Sequence, residues 1–421
     1  MAGDWTCRGC DILPQYIWSP VCRPSNSIPF PFPPLRRSLA AMPLRTERHR
    51  LHASAPGTTR EVIVHRFGPA EGRPKAYIQA ALHADETPAL LVAHHLVRLL
   101  GAAEARGAVR GEVVVVPYAN PIGLAQFLGG RHLGRNDLSD GGNFNRGWPD
   151  LFEPVAAQIA GKLTDSPARN IDLIRAAMRE SIAAWRPRSE MDSLRRLLMG
   201  LAVDADMVLD LHCDDEALMH LFTHTDQWPA AHDLAAELGC HAVLLAEESG
   251  GNPFDEAFST PWNRLAARFT DHPVPAACLS VTVELRGSAE VADEVAETDA
   301  RALFRSLQRH GLIDGDPGPQ PEPLCDATAL EACDTVRAPA PGVLAYAVAL
   351  GAHVRKGDVI AWLVDPAAED PAAGRRAIRT ITDGLVLSRR LHRYVLPGMT
   401  VAKVVGTEPL PERIGKPLLE D

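Results

Sequence analysis

The chain has 421 residues, enough for two or three domains, and its 46% hydrophobic and 23% charged content is that of an ordinary globular protein. A formal net charge of −10 argues against a nucleic acid as the main partner, because phosphate binding needs a basic face. There is no run of about 18 uncharged apolar residues, which excludes a membrane-spanning helix, and the N-terminus lacks the basic head and apolar segment of a secretory signal. Eight cysteines are scattered at 7, 10, 22, 213, 240, 278, 325 and 333, which reads as reduced thiols in a cytoplasmic protein rather than a disulfide framework. Cys7, Cys10 and Cys22 lack the nearby fourth ligand that a zinc knuckle requires.

Residues 1–50 contain "PSNSIPFPFPPLRRS", which has neither helical nor strand periodicity, and are expected to be disordered or a non-native extension. Folded patterning starts after Met42, which is expected to be the physiological start. From about 60 to 310, apolar runs such as "KAYIQAAL", "GEVVVVPYAN", "ADMVLDLHC" and "LSVTVELRG" read as strands covered on both faces. "REVIVHRFG", "LMHLFTH" and "CHAVLLAE" join them as shorter strands. Between them, 87–101, 170–200, 228–238, 254–270 and 289–310 have helical spacing. This alternation predicts an α/β domain over 55–312, with ligands gathered at the carboxyl ends of its strands.

The stretch 313–326, with four prolines and four acidic residues, is expected to be a linker. Beyond it, 327–410 changes to short strands and glycine turns and repeats itself. "GVLAYAVALGAHVRKGDVIAWLV" from Gly342 aligns with "GLVLSRRLHRYVLPGMTVAKVVG" from Gly384, pairing Val354 with Val395 and Gly357 with Gly398. Two β-hairpin halves predict a small pseudo-symmetric β-sandwich or barrel, similar to the biotinyl/lipoyl-carrier type. The turn between the halves, "DPAAEDPAAGRR", has no modifiable lysine, so a structural or lid domain is the better reading.

Four stretches end apolar runs on polar residues. "LHADE" holds His83 and Glu86, "DGGNFNRGWP" holds Asn143, Asn145 and Arg146, "VLDLHCDD" holds His212, and "SVTVELRG" holds Glu284. Two histidines and a carboxylate are one ligand set of a catalytic zinc, which leaves a fourth position to water. Such water has its pKa lowered from about 16 toward 7. A separate carboxylate can take the proton and pass it to a leaving amine, a part that suits Glu284. Taken alone, His83 and Glu86 also fit a plain loop with an acid in a first helical turn. Asp210 either orients His212 or bonds to backbone. His94 and His95 sit mid-helix, where packing or solvation is the ordinary fate. His220 alternates with Leu221 and Phe222, and either packs in a strand or aims into the pocket. Cys213 reads as packing.

His83-x-x-Glu86, then Asn145-Arg146, His212 and last Glu284 resemble the zinc carboxypeptidase superfamily in order and spacing. The added β-domain and the "NFNR" form are similar to the succinylglutamate desuccinylase/aspartoacylase family, among members related to N-acetyl-diaminobutyrate deacetylases. The resemblance spans about 60 to 410. It implies a zinc-carboxypeptidase-like mixed sheet flanked by helices, plus a small C-terminal all-β, barrel-sandwich-like domain. It implies one zinc ion held by His83, Glu86 and His212, with Glu284 as base and then acid. It implies that Asn145 and Arg146 hold a substrate carboxylate. An arginine ahead of that pair would stabilise the oxyanion. Arg131 and Arg135 both qualify, and Arg135 is preferred. Arg286 is a further candidate substrate contact to which no role transfers, and the resemblance offers Tyr394 as the C-terminal tyrosine that aspartoacylases place near the substrate, although a surface loop is its ordinary reading.

The expected function is zinc-dependent hydrolysis of a small N-acyl amino acid or related amide, with no nucleic-acid or membrane partner. The oligomeric state stays open, a homo-oligomer included. Two other readings stay open: a carboxypeptidase-like metallopeptidase, and a metal-binding or carrier-like protein without turnover.

Overall fold

The computed structural model describes residues 45–415; the expectations for Met42 and the Cys7–Cys10–Cys22 group lie outside them. The catalytic part opens with β1 (Arg45–Arg50), β2 (Glu61–Phe67), β3 (Lys75–Ala80), α1 (Pro88–Ala105) and β4 (Glu112–Val116). A small hairpin, β5 (Phe127–Leu128) and β6 (Arg131–His132), precedes α2 (Phe152–Ile159), α3 (Pro167–Ala184) and α4 (Glu190–Ala202). Then come β7 (Met207–Asp214), β8 (Glu216–Ala217), β9 (His220–His224), α5 (Trp228–Leu238), β10 (Ala242–Ala246), α6 (Glu256–Arg268), β11 (Leu279–Gly287), α7 (Asp293–Arg309) and β12 (Ala327–Ala329).

Nine of these strands form one mixed sheet in the order β1-β2-β4-β3-β7-β11-β9-β10-β12. Its centre, β4-β3-β7-β11, is parallel, and β9 runs against β11. Strands β3 and β4 are buried along their whole length, as expected for a layer covered on both sides. Alternate side chains go to opposite faces: Tyr77 joins the core under α2, α3, α4 and α6, and Ile78 the core under α1, α5 and α7. No helix among the described residues is long and apolar enough to cross a membrane.

The C-terminal part is all β: β13 (Cys333–Arg337), β14 (Gly342–Tyr346), β15 (His353–Val354), β16 (Val359–Val364), β17 (Arg375–Arg379), β18 (Gly384–Arg389), β19 (Tyr394–Val395) and β20 (Thr400–Val405). The sequence repeat is visible here as strand, short strand, strand, twice over. Gly357 and Gly398 sit at equivalent turns with φ of 93° and 84°, a region that favours glycine. The halves exchange their short strands: β15 pairs with β18, and β19 with β14. The sheets β13-β20-β18-β15 and β17-β16-β14-β19 enclose one apolar core.

Four boundaries differ from the sequence expectation. Arg45–Arg50 is an edge strand paired with β2 rather than the end of a disordered extension, because its alternate residues are half-buried and backbone pairing stabilises what periodicity alone left weak. The 170–200 helix is two helices, broken at Trp185–Pro187 and restarted by Ser189, whose side chain accepts from Asp192 N. The short helix α2 was not foreseen. Ala327–Ala329 pairs parallel with β10, so the β-domain starts at β13 and not at 327.

Candidate active site

The register of the parallel strands brings the distant motifs together. Ala80 of β3 lies beside Leu211 of β7, and Glu284 of β11 beside His212. The carboxyl ends of three adjacent strands therefore meet at one point, where open sheets bind ligands. Ala81 leaves β3 with φ of 56°, a strained value for a residue with a Cβ, and turns the chain into the His83 loop. That loop is held by Asn120, which donates to Leu82 O at 2.9 Å.

His83, Glu86 and His212 are buried, and one donor atom from each lies within 4.8 Å of the others. Glu86 spans the two imidazoles: Oε1 is 2.9 Å from His83 Nδ1, and Oε2 is 2.8 Å from His212 Nδ1. The Cys213 N–H donates to Oε2 at 3.0 Å. The far nitrogen of each ring is also held. His83 Nε2 is 2.8 Å from Asn143 Oδ1, and His212 Nε2 is 2.9 Å from Asp210 Oδ2. Asn143 Oδ1 also accepts the Asn145 N–H at 2.8 Å, so this atom is the oxygen and His83 Nε2 must carry the proton. Both Nδ1 atoms face Glu86, so once free of a proton each would turn its lone pair to the same point, which is the arrangement a metal-binding histidine needs. Behind Asp210, Gln79 donates to its Oδ1 at 2.9 Å and Tyr77 donates to Gln79 at 2.8 Å. Two imidazole nitrogens and a carboxylate, oriented from outside and turned toward one another, fit a zinc-type ion.

The charges follow from these contacts. Burial would raise the Glu86 carboxyl, but His83 and His212 together hold it well below the usual carboxylate range. Burial would lower His212, but Asp210 and Glu86 raise it well above the ordinary imidazole value. His83 is lowered by burial and by Arg135. Glu284 is pushed up to about 8 by burial and by Glu86, with His212 and Lys403 opposing. Its Oε2 is buried without a hydrogen-bond partner.

The cleft opens to solvent; His83, Glu86, His212, Glu284, Arg135, Asn145 and Arg146 all line it. Arg135 Nη1 lies 3.3 Å from both Glu86 Oε1 and His83 Nδ1. Arg131 is exposed on the β5–β6 hairpin and does not reach the cleft. Asn145 Oδ1 is already occupied, accepting from Phe254 N at 2.8 Å and Trp148 Nε1 at 3.2 Å, so only its amide nitrogen remains to meet a ligand. Arg286 pairs with Asp299 and Glu290 instead of lining the cleft. His95 bonds to Asp293 and His94 is exposed. His220 is buried under the floor, donating from Nδ1 to Leu218 O at 2.8 Å, and does not line the cleft. Tyr394 is 66% exposed and lies outside it.

Sequence reasoning assigned no role to Asn143 and passed over Asp214, Asp255, Glu256 and Lys403, the last four of which form cleft wall. One signal was available: the acidic run "CDDE" after His212 has a basic counterpart in "SRRLHR" of the C-terminal domain.

Three comparisons bear on this arrangement. A family model described as the succinylglutamate desuccinylase/aspartoacylase catalytic domain matches residues 72–310. The chain is 25% identical over 339 residues to the N-alpha-acetyl-L-2,4-diaminobutyric acid deacetylase of Halomonas elongata, covering 79% of this chain and 82% of that one. A crystal structure from Shewanella amazonensis, described as a succinylglutamate desuccinylase/aspartoacylase family protein, superposes with a TM-score of 0.76 at 25% identity over 86% of this chain and 98% of that one. The product-bound ectoine utilization protein EutE (DoeB) of Ruegeria pomeroyi shares the fold, with a TM-score of 0.62 at 18% identity over 87% and 98% of the two chains.

Proposed function

Because the chain belongs to the succinylglutamate desuccinylase/aspartoacylase family and is a hydrolase of amide bonds in N-acyl amino acids, we propose that it is a single-metal deacylase of a small N-acyl amino acid. His83, Glu86 and His212 hold the ion and Glu284 moves the proton. The observation that supports this reading most is the buried triad of donors facing one another, with Glu284 of the neighbouring strand, whose buried Oε2 has no hydrogen-bond partner, in the same cleft. When bound, a zinc-type ion supplies Lewis acidity toward water and the scissile carbonyl, and its charge favours the ionised form of Glu284.

The chain's own residues supply the rest. Glu284 takes a proton from the attacking water and delivers one to the departing amine nitrogen. Arg135 brings a guanidinium to the edge of the triad, where it donates to the carbonyl oxygen as negative charge develops. Arg146 and the amide nitrogen of Asn145 take the substrate carboxylate. Beside Asn145 and Arg146, Asp255 and Glu256 bring carboxylates to the cleft: Phe254 N donates to Asn145 Oδ1, and Arg146 acts on Glu256. Burial and the neighbouring Glu256 push Asp255 up to about 8, and a cationic group placed there would relieve that. A cleft lined by both arginines and carboxylates suits a substrate bearing both charges. N-acetyl-diaminobutyrate, the substrate class named for the Halomonas relative, is therefore the first one to try.

The test is amine release from N-acyl amino acids, N-acetyl-diaminobutyrate and free-carboxylate peptides, with zinc-loaded wild type beside Glu284→Gln. Wild type is expected to turn over an N-acyl amino acid. The variant is expected to retain the metal and lose about 10²- to 10⁴-fold in kcat. Full activity in Glu284→Gln, or turnover of peptides alone, would overturn the reading.

A further inference from the structure

The C-terminal β-domain reaches into the active site at one residue. Lys403 lies on β20, beside Ser388 of β18 and Thr335 of β13. Its side chain is only 13% exposed, and Nζ is 2.5 Å from Asp214 Oδ2. Lys403 lines the same cleft as His212 and Glu284. Asp214 follows His212 by two residues on β7.

The contact belongs to a larger joint. Immediately after Asp214, β8 leaves the catalytic part and adds antiparallel to β18, with Ala217 beside Ser388 and Glu216 beside Arg389. Arg389 Nη2 bonds to Glu216 at 2.9 Å, Arg393 bonds to the same carboxylate, and Arg390 is 4.0 Å from Asp215. The acidic run 214–216 is thus gripped by four cations of the second domain. Three of them hold the outer end of the run. Of the four, Lys403 lines the cleft, facing Asp214, the member of the run that follows His212 by two residues, and acting electrostatically on Glu284 as well. A buried ammonium held between carboxylates does more than an exposed ion pair, because removing it leaves an unpaired charge in a poorly solvated place.

We propose that Lys403 is a positioning residue of the active site: through Asp214 it holds the end of β7, and with it His212, in register with Glu284. On this view the C-terminal domain is a working wall of the site and not only a cover for its mouth. The catalytic part of this inference rests on the deacylase reading, but the metal-binding part does not.

The experiment uses the full chain and five variants, Lys403→Met, Lys403→Arg, Asp214→Asn, Arg393→Gln and the Lys403→Met/Asp214→Asn double variant. It measures zinc affinity by chelator competition and, on the substrate that wild type turns over, kcat and KM per bound metal. Lys403→Met is expected to weaken zinc binding about tenfold and lower kcat at least tenfold, with KM within about threefold. Lys403→Arg should restore most of both. Asp214→Asn should resemble Lys403→Met, and the double variant should be no worse than either single one. Arg393→Gln breaks the outer grip only and should leave both properties within about twofold. Zinc affinity within twofold of wild type in Lys403→Met would overturn the proposal. So would equal losses in Lys403→Met and Arg393→Gln, which would mark a general domain contact. If no substrate were turned over, the deacylase reading would fail, and the zinc-affinity series would still decide the role of Lys403. Should Lys403→Met not fold, Asp214→Asn and Lys403→Arg decide it in the same way.

Discussion

Replacing Asn143 by alanine tests the reasoning that the proposed metal triad is set from outside. One atom, Asn143 Oδ1, accepts from His83 Nε2 at 2.8 Å and from Asn145 N at 2.8 Å, and the residue is buried. Its loss leaves two buried donors without an acceptor, at roughly 1–3 kcal/mol each, so the variant should be destabilised by roughly 2–6 kcal/mol. It also frees His83 to change tautomer and turn. Outer partners of metal-bound histidines are worth about 10- to 100-fold in affinity, or about 1.4–2.7 kcal/mol. Asn143→Asp keeps an acceptor in the same place and adds negative charge next to His83, so it should bind metal at least as tightly as wild type. The assay is zinc competition against a chromogenic chelator, run beside urea unfolding of the same samples. Zinc affinity within threefold of wild type in Asn143→Ala, or weaker binding by Asn143→Asp than by Asn143→Ala, would refute the argument.

Gly134 packs against the His83–Glu86 loop: a Cβ there would lie 2.2 Å from Asp85 N and 2.6 Å from Ala84 C, both backbone atoms. Gly134→Ala should therefore push the His83–Glu86 turn outward, costing about 1–3 kcal/mol and most of the zinc affinity; unchanged binding would show that the loop yields freely. His220 gives a pH prediction. Burial and then Lys403 bring its folded-state pKa down to about 4, against 6.5 for a free imidazole. Between those values the unfolded chain binds more protons, so this contribution is present above about pH 6.5 and is lost as pH falls toward 4. Urea unfolding of wild type should lose about 2 kcal/mol more between pH 7 and pH 5 than His220→Gln does. Equal losses in the two proteins would mean that the unpartnered Nε2 has a route to water.

The make-up of the candidate site was legible in the sequence because strands announce themselves locally. "KAYIQAAL", "VLDLHC" and "SVTVEL" are apolar runs that stop at a polar residue, and in an α/β sheet that stop is where ligands bind. His83, Glu86, His212 and Glu284 could be picked out for that reason, and the repeat from Gly342 announced the pseudo-symmetric β-domain. Periodicity was weaker where long-range pairing decides the outcome. Arg45–Arg50 becomes a strand only because β2 lies beside it, and Ala327–Ala329 leaves the β-domain because β10 offers it an edge.

The outer layer of the site was not legible. Asn143 faces His83 across 60 residues and Lys403 faces Asp214 across 189, and neither spacing has a local signature. Residue type and spacing along the chain therefore determined which groups are proposed for the chemistry. Strand order, register and the crossing of β8 into the second domain's sheet decided which groups hold them, because orientation depends on contacts that exist only once both domains are packed together.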